Sequence, residues 1–125
     1  MPVLRSALPA VFATVEHRAW ALALQRFLDG SAAYAPPLLP TQCRFGQWLY
    51  GNGRRLYASE ASFNAVEGVH RRLHDVAGEL VTLCNDGKRE YARARMYELD
   101  KLRESLLAET RRLLDSDDAV DSTMS

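Results

Sequence analysis

Apolar residues recur at helical spacing in four stretches of the chain. The first runs from about Ser6 to Leu28, where Ala13, His17, Trp20, Ala21, Leu24, Phe27 and Leu28 share one face. Glu16, Arg18, Gln25 and Arg26 lie off that stripe, and Asp29-Gly30 stops the helix. A loop marked by Pro36, Pro37 and Pro40 follows. A short second helix is predicted over Thr41 to Tyr50, with Thr41 as N-cap and Gly51-Asn52-Gly53 as its end. Arg54 to Ala58 is a connector without an assignment.

The third helix should run from Ser59 or Glu60 to Cys84, burying Phe63, Val66, His70, His74, Ala77, Val81 and Cys84. Arg71, Arg72, Asp75 and Glu79 mark its wet face. Asn85-Asp86-Gly87 is a tight turn, so the fourth helix, Lys88 to Leu114, folds back antiparallel. Its buried stripe is Ala92, Met96, Leu99, Leu102, Leu106 and Leu113. The fold class that follows is all-α: a four-helix bundle, with a short extra helix carrying Cys43 admitted in the count. Residues 1–115 form the expected helical domain, and 116–125 an acidic, disordered tail.

Composition changes this picture little. At 125 residues the chain fits one domain with a real core, and 16 basic residues cancel 16 acidic ones. A neutral chain has no global field for nucleic acid or an anionic membrane, so neither is expected as a partner. No apolar run is long enough to span a bilayer. Two cysteines make no disulfide framework, which suggests a reducing cytoplasm and a metal-binding or redox role for any cysteine that matters.

The chemistry lies in the histidines. All 3 fall on apolar stripes, where an imidazole needs a hydrogen-bond partner or a metal. His70 and His74 stand one turn apart on one helix face, so both can reach a single ion. His17 adds a nitrogen from another helix and Cys43 a thiolate from a third element, a donor set that suits tetrahedral zinc. Each residue alone has a plainer reading: a hydrogen-bonded core histidine, a chance His-x-x-x-His pair, a small buried cysteine. The joint pattern favours the metal. Cys84 lies about 15 Å beyond His74 along the same helix, too far to share the ion, and reads as core packing. Trp20 and Trp48 either wall the site or anchor the core, and Gly46 lets a neighbouring element come close. Glu67 and Asp75 read as supporting or surface carboxylates.

The segments His17-Arg18-Ala19-Trp20, Cys43-Arg44-Phe45-Gly46-Gln47-Trp48-Leu49-Tyr50-Gly51 and His70-Arg71-Arg72-Leu73-His74 with Asp75-Val76-Ala77 resemble those of chemoreceptor zinc-binding (CZB) domains. The resemblance spans roughly Val15 to Leu83 and implies one zinc held by His17, Cys43, His70 and His74 in a helical bundle. Such domains sit on cytoplasmic chemoreceptors or diguanylate cyclases and respond to zinc or to oxidants such as hypochlorous acid. The resemblance therefore implies a bacterial zinc or oxidant sensor acting through Cys43 on a chemotaxis or cyclic-di-GMP partner, with a homodimer as the expected state. This chain departs from the pattern in having no room for a coiled-coil or cyclase output module. A closed set of four ligands leaves no site for an activated water, so no enzyme is expected. Two alternatives stand beside this: a zinc-stabilised interaction module without redox sensing, and, less favoured, a di-iron or other metalloenzyme, for which the inward stripes offer almost no carboxylate.

Overall fold

The computed structural model describes residues 8–124, with side chains from 8 to 115; the tail expected at 116–125 falls outside those described side chains. Among the described residues there is no strand, and the helices pack as an all-α bundle. The first helical stretch is interrupted by a π-helical turn, Phe12–Glu16, and continues as α1 (His17–Asp29). Gly30 ends it with φ 85°, a left-handed conformation that a side chain would strain, as Asp29-Gly30 predicts. Arg89 then donates to the carbonyls of Phe27 at 3.0 Å and Leu28 at 2.5 Å, satisfying two of the helix's last acceptors.

The middle of the chain departs from expectation in three ways. A 3₁₀ turn, Pro40–Gln42, takes up Thr41, so α2 (Arg44–Trp48) starts later and is capped by Cys43. The cap works because the Cys43 sulfur accepts from the Gly46 amide at 3.2 Å, a role more often filled by a hydroxyl or carboxylate oxygen. Gly51-Asn52-Gly53 does not end the helix: a π-helical turn, Leu49–Gly53, carries it into α3 (Arg54–Tyr57), which occupies the unassigned connector. Gly53 is helical, with φ −59°, and a Cβ there would press on the Trp48 carbonyl at 3.1 Å. Its small size serves close packing and not a turn.

α4 (Ala61–Asn85) is the central helix. All seven residues of its expected stripe are buried, but so are Leu73, Val76 and Leu80. The buried arc is wider than one seam because α4 packs along α6 on one side and α1 on another. The turn at 85–87 is made by Gly87 with φ 82°. The last helix is broken at Arg95 into α5 (Arg89–Ala94) and α6 (Met96–Met124). Arg95 bridges Glu79 of α4 at 3.1 Å and Glu98 of α6 at 2.7 Å. Ala92, Leu99, Leu106 and Leu113 are buried as expected, Met96 and Leu102 only in part.

Candidate metal centre

Three elements converge on one point inside the bundle. His17 comes from the first turn of α1, Cys43 from the cap of α2, and His70 and His74 from successive turns of α4. The structure brings all four expected residues together: one donor atom from each lies within 4.8 Å of every other. The Cys43 sulfur stands 3.2 Å from Nε2 of His70, 3.6 Å from that of His74 and 3.9 Å from that of His17. Bonds of about 2.3 Å to sulfur and 2.0–2.1 Å to nitrogen at tetrahedral angles separate the two donors by about 3.6 Å. The three observed distances bracket that value.

The protonation pattern points the same way. Nδ1 of His17 lies 3.0 Å from the Phe12 carbonyl, and Nδ1 of His74 lies 3.0 Å from the Leu38 carbonyl. A carbonyl only accepts, so each Nδ1 carries the proton and each Nε2 turns a lone pair inward. A single thiol hydrogen cannot satisfy the lone pairs gathered around the sulfur. A cation can. Backbone carbonyls behind two imidazoles are also the usual way metal-binding histidines are oriented. His70 differs, since its Nδ1 is buried without a partner.

Burial, then the nearby His74, pulls His17 down to about 4 from the ordinary 6.5. Burial, His74 and His17 depress His70 further, to about 2. Burial lowers His74 as well, partly offset by the Leu38 carbonyl. Burial pushes the Cys43 thiol up, opposed by backbone N–H donors led by Gly46. At neutral pH the metal-free cluster is therefore four neutral groups. The imidazoles are already in the ligand form, and the thiol would lose its proton to solvent when an ion binds.

The walls of the site differ in part from the sequence reading. Trp20 does wall it: its ring lies 4.7 Å from that of His74, and its indole N–H donates to the Pro37 carbonyl at 2.7 Å. The other wall is Phe45, 5.0 Å from His70 and 5.6 Å from His17, with Trp48 standing behind Phe45 and against Tyr57. Trp48 is thus a core anchor. Phe45 sits inside the Cys-x-x-Gly-x-Trp segment and could have been found as the buried residue two past the sulfur. The carbonyls of Phe12, Leu38 and Pro40 carry no signature in sequence.

Gly46 is explained fully. A Cβ there would land on the Pro40 carbonyl and come within 3.2 Å of the His70 ring. Glu67 takes Arg71 at 2.5 Å and the Tyr50 hydroxyl at 3.4 Å, away from the cluster. Cys84 is buried in the apolar core, and the candidate metal cluster does not include it.

The fold and site together define a helical bundle built around a closed three-histidine, one-cysteine cluster that fits zinc. The model of one family, the chemoreceptor zinc-binding domain, matches residues 17–81, from the first of these histidines to the last turns of the central helix. The chain belongs to that family, and its cluster matches the family's zinc site. No curated protein and no solved structure matches the chain. Among the described residues no helix is long and apolar enough to cross a membrane.

Proposed function

We infer that His17, Cys43, His70 and His74 hold one zinc ion, and that its presence or loss is the state this sensory domain reports. The observation that carries this is the sulfur ringed by three imidazole nitrogens at 3.2–3.9 Å. Four protein donors fill a tetrahedron, so the ion has no open position for a reacting water, which argues against catalysis. Zinc ties α1, α2 and α4 to one point, and its release frees the α2 segment from the other two. Metal analysis of the purified chain beside Cys43→Ala and His74→Ala tests this. One zinc per chain, lost in both variants, supports it; zinc retained in either variant rejects the ligand set.

The same site suits an oxidant signal. Cys43 is partly exposed and lines a surface pocket of ≈ 370 Å³ together with His17, Trp20, Pro36 and Pro37. A zinc-bound thiolate is the oxidisable form of cysteine. Hypochlorous acid would transfer its hydroxyl oxygen and proton to the sulfur, giving a sulfenic acid and releasing chloride, while the sulfur loses two electrons. The sulfenic acid is a poorer ligand, so α2 would detach. One equivalent of oxidant that leaves zinc affinity unchanged rules out this version and leaves the zinc sensor standing.

A signal also needs a receiver. Val11, Val15, Ala19 and Leu22 form an exposed apolar stripe on the outer face of the first helix at three- and four-residue spacing. That face suits a second copy of the chain, or a helix of a cytoplasmic chemoreceptor or diguanylate cyclase. Sedimentation giving a dimer at tens of micromolar, converted to monomer by Val15→Asp, would support the homodimer. A monomer with and without zinc would leave the interaction module acting on another protein.

A further inference from the structure

A second concave site lies apart from the metal cluster. It is a groove of ≈ 660 Å³ between the start of the first helix and the α2–α3 segment, within the usual range for small-molecule sites. Leu8, Pro9, Phe12, Trp48 and Leu56 form its walls, and Leu8 and Leu56 remain 55% and 49% exposed. Such half-wet apolar side chains at a groove are surface that a ligand could cover. The polar lining is one-sided. Among the described residues it consists of Arg44, Arg55, Gln47 and Asn52, with no carboxylate in the lining.

Neither guanidinium is used up. Arg44 meets Glu16 at 3.4 Å, but its side chain is 71% exposed, so the pair is weak and leaves most of its five N–H donors free. Arg55 donates to the Asn52 side-chain oxygen at 2.6 Å and enters no ion pair among the described residues. The contrast with the hollow between the first helix and α6 is instructive. There Arg18 and Arg103 face Asp100 and Glu104, and Arg103 pairs with Asp100 at 3.2 Å, so no net charge is on offer. The pocket beside Cys43 belongs to the metal centre.

An apolar trough with one guanidinium outside any ion pair and a second held only in a weak, exposed one selects for an apolar body carrying one planar anion. Arginine's fork matches a carboxylate with two parallel hydrogen bonds, and the aliphatic and aromatic walls accept a chain or ring but nothing heavily hydrated. We propose that this groove binds an amphipathic organic carboxylate, with the carboxylate on Arg44 and Arg55 and the apolar body along Phe12, Trp48 and Leu56.

Decanoate, below its micellar concentration, is the probe for calorimetric titration of the full, zinc-loaded chain. The expected result is saturable one-to-one binding, at least tenfold weaker for decanol of equal chain length and at least tenfold weaker for Arg55→Gln. Arg55 is exposed and remote from the four metal-binding residues in sequence, so this variant should keep its zinc and its helical signal. Leu56→Gln, a second exposed position, should weaken decanoate too, through the apolar wall. Absence of saturable binding overturns the proposal. So does equal binding of decanol, which would mean a merely greasy surface, and so does unchanged affinity in both variants, which would place the ligand elsewhere.

Discussion

The two halves of α4 bury their side chains equally well and for opposite reasons. Toward its start, His70 and His74 are 0% and 2% exposed, in a shell of polar atoms that face one another. Toward its end, Ala77, Leu80, Val81 and Cys84 meet α1, α5 and α6 with no polar atom to satisfy. The two cysteines make the contrast sharp. Cys84 behaves as a small hydrophobe, whereas Cys43 caps a helix, touches three imidazoles and takes the Gly46 amide. Burial at the apolar end stabilises the chain on its own. Burial at the histidine end gathers lone pairs that cost free energy until a cation joins them.

This difference predicts which perturbations depend on zinc. Chelation should have the largest effect: structural zinc sites of this type contribute on the order of 10 kcal/mol of binding free energy, part of which is folding free energy. Urea denaturation with and without chelator should show several kcal/mol lost, and equal midpoints would refute the contribution. Leu80→Ala, at the apolar end, should cost about 2–5 kcal/mol whether zinc is bound or removed. A cost that appears in only one metal state would mean that the two halves are not independent. Gly46→Ala should cost about 1–3 kcal/mol by overpacking against the Pro40 carbonyl, and it should also weaken zinc binding, because the His70 ring must shift.

Acid should act on one half alone. His17 and His70 titrate below the ordinary value in the folded, metal-free chain, so the unfolded chain takes up protons first. Their stability is therefore complete above pH 6.5 and is lost as pH falls from there toward about 4 for His17 and about 2 for His70, where each titrates in the fold. The slope should reach about 1.4 kcal/mol per pH unit for each group. A His17→Phe, His70→Leu double variant should reduce it to the share of His74, which burial also lowers; an unchanged slope would assign the effect to other groups. The smallest effect belongs to Trp20→Phe, which loses the hydrogen bond to Pro37. It should cost about 1 kcal/mol and leave the zinc stoichiometry at one.

The same contrast explains what could be read from the sequence. The long helices were legible because His17, His70, His74, Leu99 and Leu106 all sit on stripes of period 3.6 that burial enforces over several turns. The candidate site was legible for a related reason: a histidine on such a stripe conflicts with its surroundings, and three such conflicts with one cysteine have a common solution. The short middle segment was not legible. Gly51 and Gly53 have the composition of a helix stop, yet the helical backbone runs through both, and Gly53 lies so close to Trp48 that a Cβ would press on its carbonyl. Thr41 is a better N-cap residue than Cys43 by intrinsic preference, but a sulfur held among three imidazoles fixes where α2 begins. Trp48 and Phe45 differ by three residues on a short helix, and only packing decides which one faces the histidines.

X-ray absorption spectroscopy at the zinc edge of the purified chain reads the donor set itself. Three nitrogen donors at about 2.0–2.1 Å with one sulfur at about 2.3 Å is the expected shell. The sulfur contribution should vanish in Cys43→Ser and persist in Cys84→Ser. Two sulfurs, a sulfur shell that survives Cys43→Ser, or a shell of oxygen donors would contradict the closed three-histidine, one-cysteine centre.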